Sequence, residues 1–179
     1  MSNKDRVYVA LYFRQGISNE PALRQEYQHA AYHWAILVMP KSSEGEGSTY
    51  DVKYQDAYSN LPGSGGWGYF YRGEADMRQS RAILGQVMIG KLPKNIGSGD
   101  VDQMLRRIPI PQDNTDPVQN CVSWLVHAIQ ELQQHECAEQ FDVNQFMNDA
   151  LQLGDRKVSQ DPLLRSQPFK ENYTSRKFP

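Results

Sequence analysis

The chain has 179 residues, enough for one domain of ordinary size and short for two. Its 19 Lys and Arg stand against 21 Asp and Glu, a formal net charge of −2 that argues against a dedicated nucleic-acid binder. With 39% hydrophobic and 11% aromatic residues a packed core is expected, while no apolar run approaches the ~20 residues of a transmembrane helix, so no integral membrane contact is expected.

Residues 7–13 are dense in β-branched and aromatic types and read as a first strand. The run is too short and too aromatic for a secretory leader, so a cytoplasmic location is the expectation. Residues 21–29 follow a turn-rich break and fit either a short helix or a loop. Residues 32–39 are almost continuously apolar and end at Pro40, which predicts a central strand buried on both faces. The Gly-rich connector 41–48 fits a hairpin loop into a strand at 49–54. A loop over 59–66 leads to a third strand of the meander at 67–71, and a further strand at 83–89 stops at Gly90.

The second half changes character. In 100–107, Val101, Met104 and Leu105 are spaced for one helical face. Ile108-Pro109-Ile110-Pro111 must be extended, because two prolines break any helix. The strongest helix is expected to start with Asp116 as N-cap and Pro117 as first residue. Val118, Cys121, Val122, Leu125, Ile129 and Leu132 then recur at three and four, and the pattern fades near Gln134. Residues 143–153 predict a second amphipathic helix, stopped by Gly154. Strands first and helices second give an α+β domain over 1–155, an antiparallel β-meander packed against helices, with 156–179 as an extended tail.

Two cysteines, Cys121 and Cys137, are too few for a cysteine-based zinc site, and His127, His135 and Cys137 match no common zinc spacing; no metal or cofactor is expected. Gly63-Ser64-Gly65-Gly66 lacks the Lys-Ser/Thr of a phosphate cradle and reads as a loop that could flank a cleft. Cys121 is different. It falls near a helix start, where the positive end of the dipole favours a thiolate. Gln119 and Asn120 bring amide groups to the same end as oxyanion donors, and Trp34 and Trp124 are the nearby aromatics for substrate binding. A nucleophilic cysteine needs a base. His127 lies six residues on, about 600° around the helix, and points elsewhere. His33, on the strongest strand, is the better partner. Asp51 is placed to orient it if the two strands form a hairpin. The plain alternative for these residues is a small core cysteine, an edge histidine and a solvated aspartate.

Tyr32-His33-Trp34-Ala35-Ile36-Leu37-Val38 resembles the Y-x-H-W-A-I-Y-V strand of the lecithin:retinol acyltransferase and phospholipid acyltransferase family. Asn120-Cys121-Val122-Ser123-Trp124 resembles that family's N-C-x-x-F helix start. Those proteins are circularly permuted relatives of NlpC-type papain-like thiol enzymes, with the histidine strand before the cysteine helix, the order seen here. The chain also resembles short uncharacterised fungal proteins that share an H-W-A-I/L strand and an N-C-x-x-W helix. The resemblance implies a papain-like core, Cys121 as nucleophile and His33 as general base. The family's third residue is a histidine; this chain has Asp51, an orienting group papain-like sites accept. The family's hydrophobic C-terminal anchor has no counterpart here, which turns the expectation from membrane lipid to a small-molecule or acyl substrate. The implied activity is that of a hydrolase, acyltransferase or cyclase, working through an acyl-enzyme on an amide, ester or thioester, and the fungal likeness turns the expectation to biosynthesis. An inactive relative that binds or scaffolds, and a small-molecule binder using the aromatic strands, are the competing readings.

Overall fold

A computed structural model describes residues 5–55, 65–160 and 166–177. The strands are β1 (Arg6–Phe13), β2 (Tyr32–Met39), β3 (Glu46–Gln55), β4 (Gly66–Asp76), β5 (Ile83–Lys91) and β6 (Phe169–Asn172), joined in one sheet of order β4-β3-β2-β1-β5-β6. All neighbours are antiparallel except β5 and β6. The helices are α1 (Pro21–Tyr27), α2 (Ser98–Leu105), α3 (Cys121–Gln134) and α4 (Val143–Val158). The mixed architecture follows the expectation of an antiparallel meander with helices. Of the loop expected over 59–66, only Gly65 and Gly66 lie within the described residues.

Strand alternation divides the core. Val7, Val9, Leu11, Trp34, Ile36, Tyr50 and Val52 point to one face, where they pack against α2, α3 and α4. Tyr8, Ala10, Leu37, Met39 and Met88 point to the other face and pack with Met77 and Ile83, with no α-helix among them. Residues 77–82 connect β4 at the sheet edge to β5 beyond β1 and cross that second face. Met77 donates its N–H to the Gly45 carbonyl in the β2–β3 turn, and the Ala82 carbonyl accepts from Phe13. β5 therefore extends the sheet beside β1 and not beside β4.

Both long helices depart from their expected ends. Asp116 and Pro117 lie in a loop, Val118 is 76% exposed, and α3 begins at Cys121 with Asn120 as its cap. Asn120 and Ser123 form a reciprocal capping box: Asn120 Oδ1 accepts from the N–H groups of Val122 and Ser123, and Ser123 Oγ accepts from the Asn120 N–H. That box satisfies two first-turn donors at once, which a start at Asp116 would not do for them. Gly154 does not stop α4, which runs to Val158 and so past the boundary expected at 155. A Cβ at Gly154 would lie 3.0 Å from Leu11 and 3.3 Å from Tyr32, so glycine serves there for close packing of helix on sheet.

The chain end is partly tied to the body. β6 pairs parallel with β5, Gly85 opposite Phe169, and the Phe169 ring lies where a Gly85 side chain would be. Gly85→Val should therefore undock β6, costing about 1–3 kcal/mol by overpacking. Hydrogen exchange would show faster exchange in 169–172 with β1–β3 unchanged; unchanged exchange in 169–172 would refute this account of the docking.

Candidate active site

The β2–β3 hairpin sets the first pair. Its register, Ile36↔Tyr50, Leu37↔Thr49 and Val38↔Ser48, places His33 and Asp51 on the same face by the two-residue period. His33 Nε2 lies 2.6 Å from Asp51 Oδ2. β2 continues to pair with β1 as far as Tyr32, and β3 with β4 as far as Gln55, while β2 and β3 pair only over 36–38 and 48–50. The two central strands thus part beside His33. Helix α3 packs against both. Its first residue, Cys121, lies near enough to the His33 ring to be among the groups that raise its pKa. Since Nε2 is taken by Asp51, Nδ1 is the remaining ring nitrogen.

The Asn120 cap also fixes the chemistry of the helix end. It occupies the Val122 and Ser123 donors and leaves the Cys121 N–H without a partner among the described residues. Cys121 is 6% exposed, so this donor and the sulfur share a sheltered position at the positive helix end. Cys137 offers a contrast. It is fully buried, and burial first, then the Asp100 and Glu136 charges, push its thiol up to about 11. It is the inert thiol of the two.

Electrostatics bind the dyad. Burial works to lower the His33 pKa, but the hydrogen bond to Asp51, with the hydrogen bond and charge of Cys121, outweighs it and raises the value to about 9. Burial likewise works to raise Asp51, and the hydrogen bond and charge of His33 with the charge of Lys53 hold it below the usual carboxylate range. Lys53 Nζ reaches the same Asp51 Oδ2 at 3.0 Å and lies over the Phe70 ring. Tyr12, paired with His33 across β1 and β2, sets its ring 5.8 Å from the imidazole and donates its hydroxyl to Met77 Sδ.

The remaining expected residues separate from this group. Trp34 is fully buried and donates Nε1 to the His29 carbonyl, so it anchors β2 to the turn before it. Trp124 is 1% exposed and packs its ring 5.9 Å from that of Tyr69. Gln119 accepts from the Gln112 N–H and lines a cavity with Ser123 and His127. Those two lie about 200° and 240° around α3 from Cys121, so the Gln119 amide belongs to another face than the thiol. Asn120 serves as cap through its oxygen. Lys53 and Tyr12 were not anticipated. Lys53 is two residues from Asp51 and shares its face by strand period alone, whereas Tyr12 required the β1–β2 register.

The model of a family of unknown function, DUF6914, matches residues 4–172. The chain belongs to that family. No curated protein and no solved structure matches it.

The pKa directions set a pH window for stability. A histidine raised from about 6.5 to about 9 stabilises the fold fully below its unfolded value, and the contribution is lost as pH rises through about 9. The full span corresponds to on the order of 3 kcal/mol. The lowered Asp51 acts at the other end: its contribution is present above the ordinary Asp value and is lost as pH falls through the folded one. Urea unfolding at pH 6 and pH 9.5 should show the protein losing a few kcal/mol more than His33→Gln does. Equal losses in the two proteins would dismiss the charged pair as their source.

Proposed function

We propose that the protein is a papain-like cysteine enzyme of the permuted NlpC-type arrangement, acting on an amide, ester or thioester through an acyl-enzyme. The observation that carries this reading is the 2.6 Å His33–Asp51 bond with Cys121 beside the same ring at the start of a helix. The order along the chain supports it: a histidine strand, an orienting carboxylate on the next strand, then the cysteine helix.

In this reading Asp51 fixes the imidazole through Nε2 and favours its charged form, and the imidazolium beside Cys121 favours the thiolate. The sulfur attacks the carbonyl carbon, a C–S bond forms, and the carbonyl electron pair moves to oxygen. The Cys121 N–H at the helix end meets that oxyanion. His33 Nδ1 gives its proton to the departing amine, alkoxide or thiolate as the bond to it breaks, leaving a thioester on Cys121. The neutral imidazole then takes a proton from water or another acceptor nucleophile, which attacks the thioester and releases the Cys121 thiolate. Hydrolysis, transfer and cyclisation differ only in that acceptor.

The test is alkylation by iodoacetamide in the Cys137→Ser background, followed by mass spectrometry from pH 5 to pH 10. Cys121 should react rapidly at pH 6, and His33→Ala should slow that reaction by roughly 100-fold, within the range of a lost general base. Asp51→Asn should give an intermediate loss. Slow alkylation titrating near ~8.5 with and without His33 would overturn the proposal.

A further inference from the structure

The sheet face turned away from the helices carries a second concave site. A cavity of about 510 Å³ opens where residues 77–82 rejoin the sheet and β6 adds to its edge, within the size range of small-molecule sites. Met77 and Ile83 give it an apolar wall. Gln86 lies in its floor, between Ala10 on β1 and Lys170 on β6 in the ladder.

Gln86 is the anomaly. Its neighbours on this face, Tyr8, Ala10, Leu37 and Met88, form an apolar cluster. The residue is 5% exposed, and its side-chain amide, which has no hydrogen-bond partner among the described residues, opens into the cavity. An amide there can donate to or accept from a molecule that enters the cavity. The cations around it differ in state. Arg78 is held by Asp76, Glu46 and Glu44 and its charge is fully matched. Arg81 and Lys170, which also line the cavity, face no carboxylate among the described residues. Two free cations, an amide able to donate and an apolar wall share one concave space.

We propose that this cavity binds a small organic anion with an apolar body. Its carboxylate is held by Arg81, Lys170 and the Gln86 amide, and its hydrocarbon lies against Met77 and Ile83. A free amphiphile fits better than an anionic bilayer. The cations sit in a concavity that Glu44, paired with Arg78, also lines, and that exposed carboxylate opposes a negatively charged membrane surface. This inference is independent of the chemistry at Cys121.

The experiment is isothermal titration of the full chain with octanoate, with octanol as the neutral counterpart and phosphatidylglycerol vesicles as the membrane arm. Octanoate should bind saturably, one per chain, and more tightly than octanol. The Arg81→Gln/Lys170→Gln double variant should weaken octanoate by roughly tenfold or more, the loss expected for charge-assisted hydrogen bonds. Gln86→Leu should weaken it with both cations in place. Far-UV circular dichroism and the urea midpoint establish that each variant is folded. Equal affinity for octanol, octanoate affinity unchanged in the double variant and in Gln86→Leu, or binding to vesicles alone would each overturn the proposal.

Discussion

Strand β2 is the constraint on which the rest of the molecule depends. It is buried along nearly its whole length, so its two faces must both find partners. Trp34 and Ile36 require the helices on one side; Leu37 and Met39 require a cover on the other. That need draws α3 across β2 and β3, and it draws residues 77–82 across the opposite face. Because side chains alternate strictly, a slip of one residue in β2 would exchange the two sets and send His33 away from Asp51. The same register that satisfies the core therefore aligns the polar pair.

A buried histidine and a buried carboxylate are each costly alone, and their pairing changes the balance. Burial opposes the charge on both, yet the short bond between them overcomes it in each direction, raising one and lowering the other. Lys53 adds a second cation on the same carboxylate oxygen, so Asp51 serves two positive groups from a position that is 5% exposed. Its side chain can do this because β2 and β3 part at that end, leaving space between strands for Cys121 to approach. The helix cap completes the arrangement. Asn120 takes the Val122 and Ser123 donors, and the Cys121 N–H at the helix start has no partner among the described residues.

The two faces of the sheet use different means of burial. Helices cover one, where Trp34 of β2 and Trp124 of α3 are the bulkiest buried side chains. On the other, a short crossover and the edge strand β6 leave a cavity lined by both apolar and cationic groups. Tyr12 stands between the His33–Asp51 pair and the cavity wall at Met77 and Ile83. It is paired with Ile83 in the sheet, bonds Met77 through its hydroxyl and lays its ring near His33.

Local patterning determined much of this in advance. The apolar run 32–39 specified a central strand, the connector after Pro40 specified the hairpin, and the change from period two to spacings of three and four divided strands from helices. His33, Asp51 and Cys121 were legible as candidates, but the start of α3 at Cys121 was not, since the expected start was Asp116. Other properties arose only in three dimensions. Asp116-Pro117 and Asn120-x-x-Ser123 are both good local starts for a helix, and what chose between them was the doubly bonded cap. Gly154 reads as a stop, but the approach of α4 to Leu11 and Tyr32 makes it a packing residue. The Gln119 amide is close to Cys121 in sequence and turned from it in space. The place of β5 beside β1, the pairing of Phe169 over Gly85, and the exposure of Gln86 to a cavity all depend on contacts between residues far apart in the chain. Local propensity carries no information about such contacts, because the burial that selects them exists only once the sheet has formed.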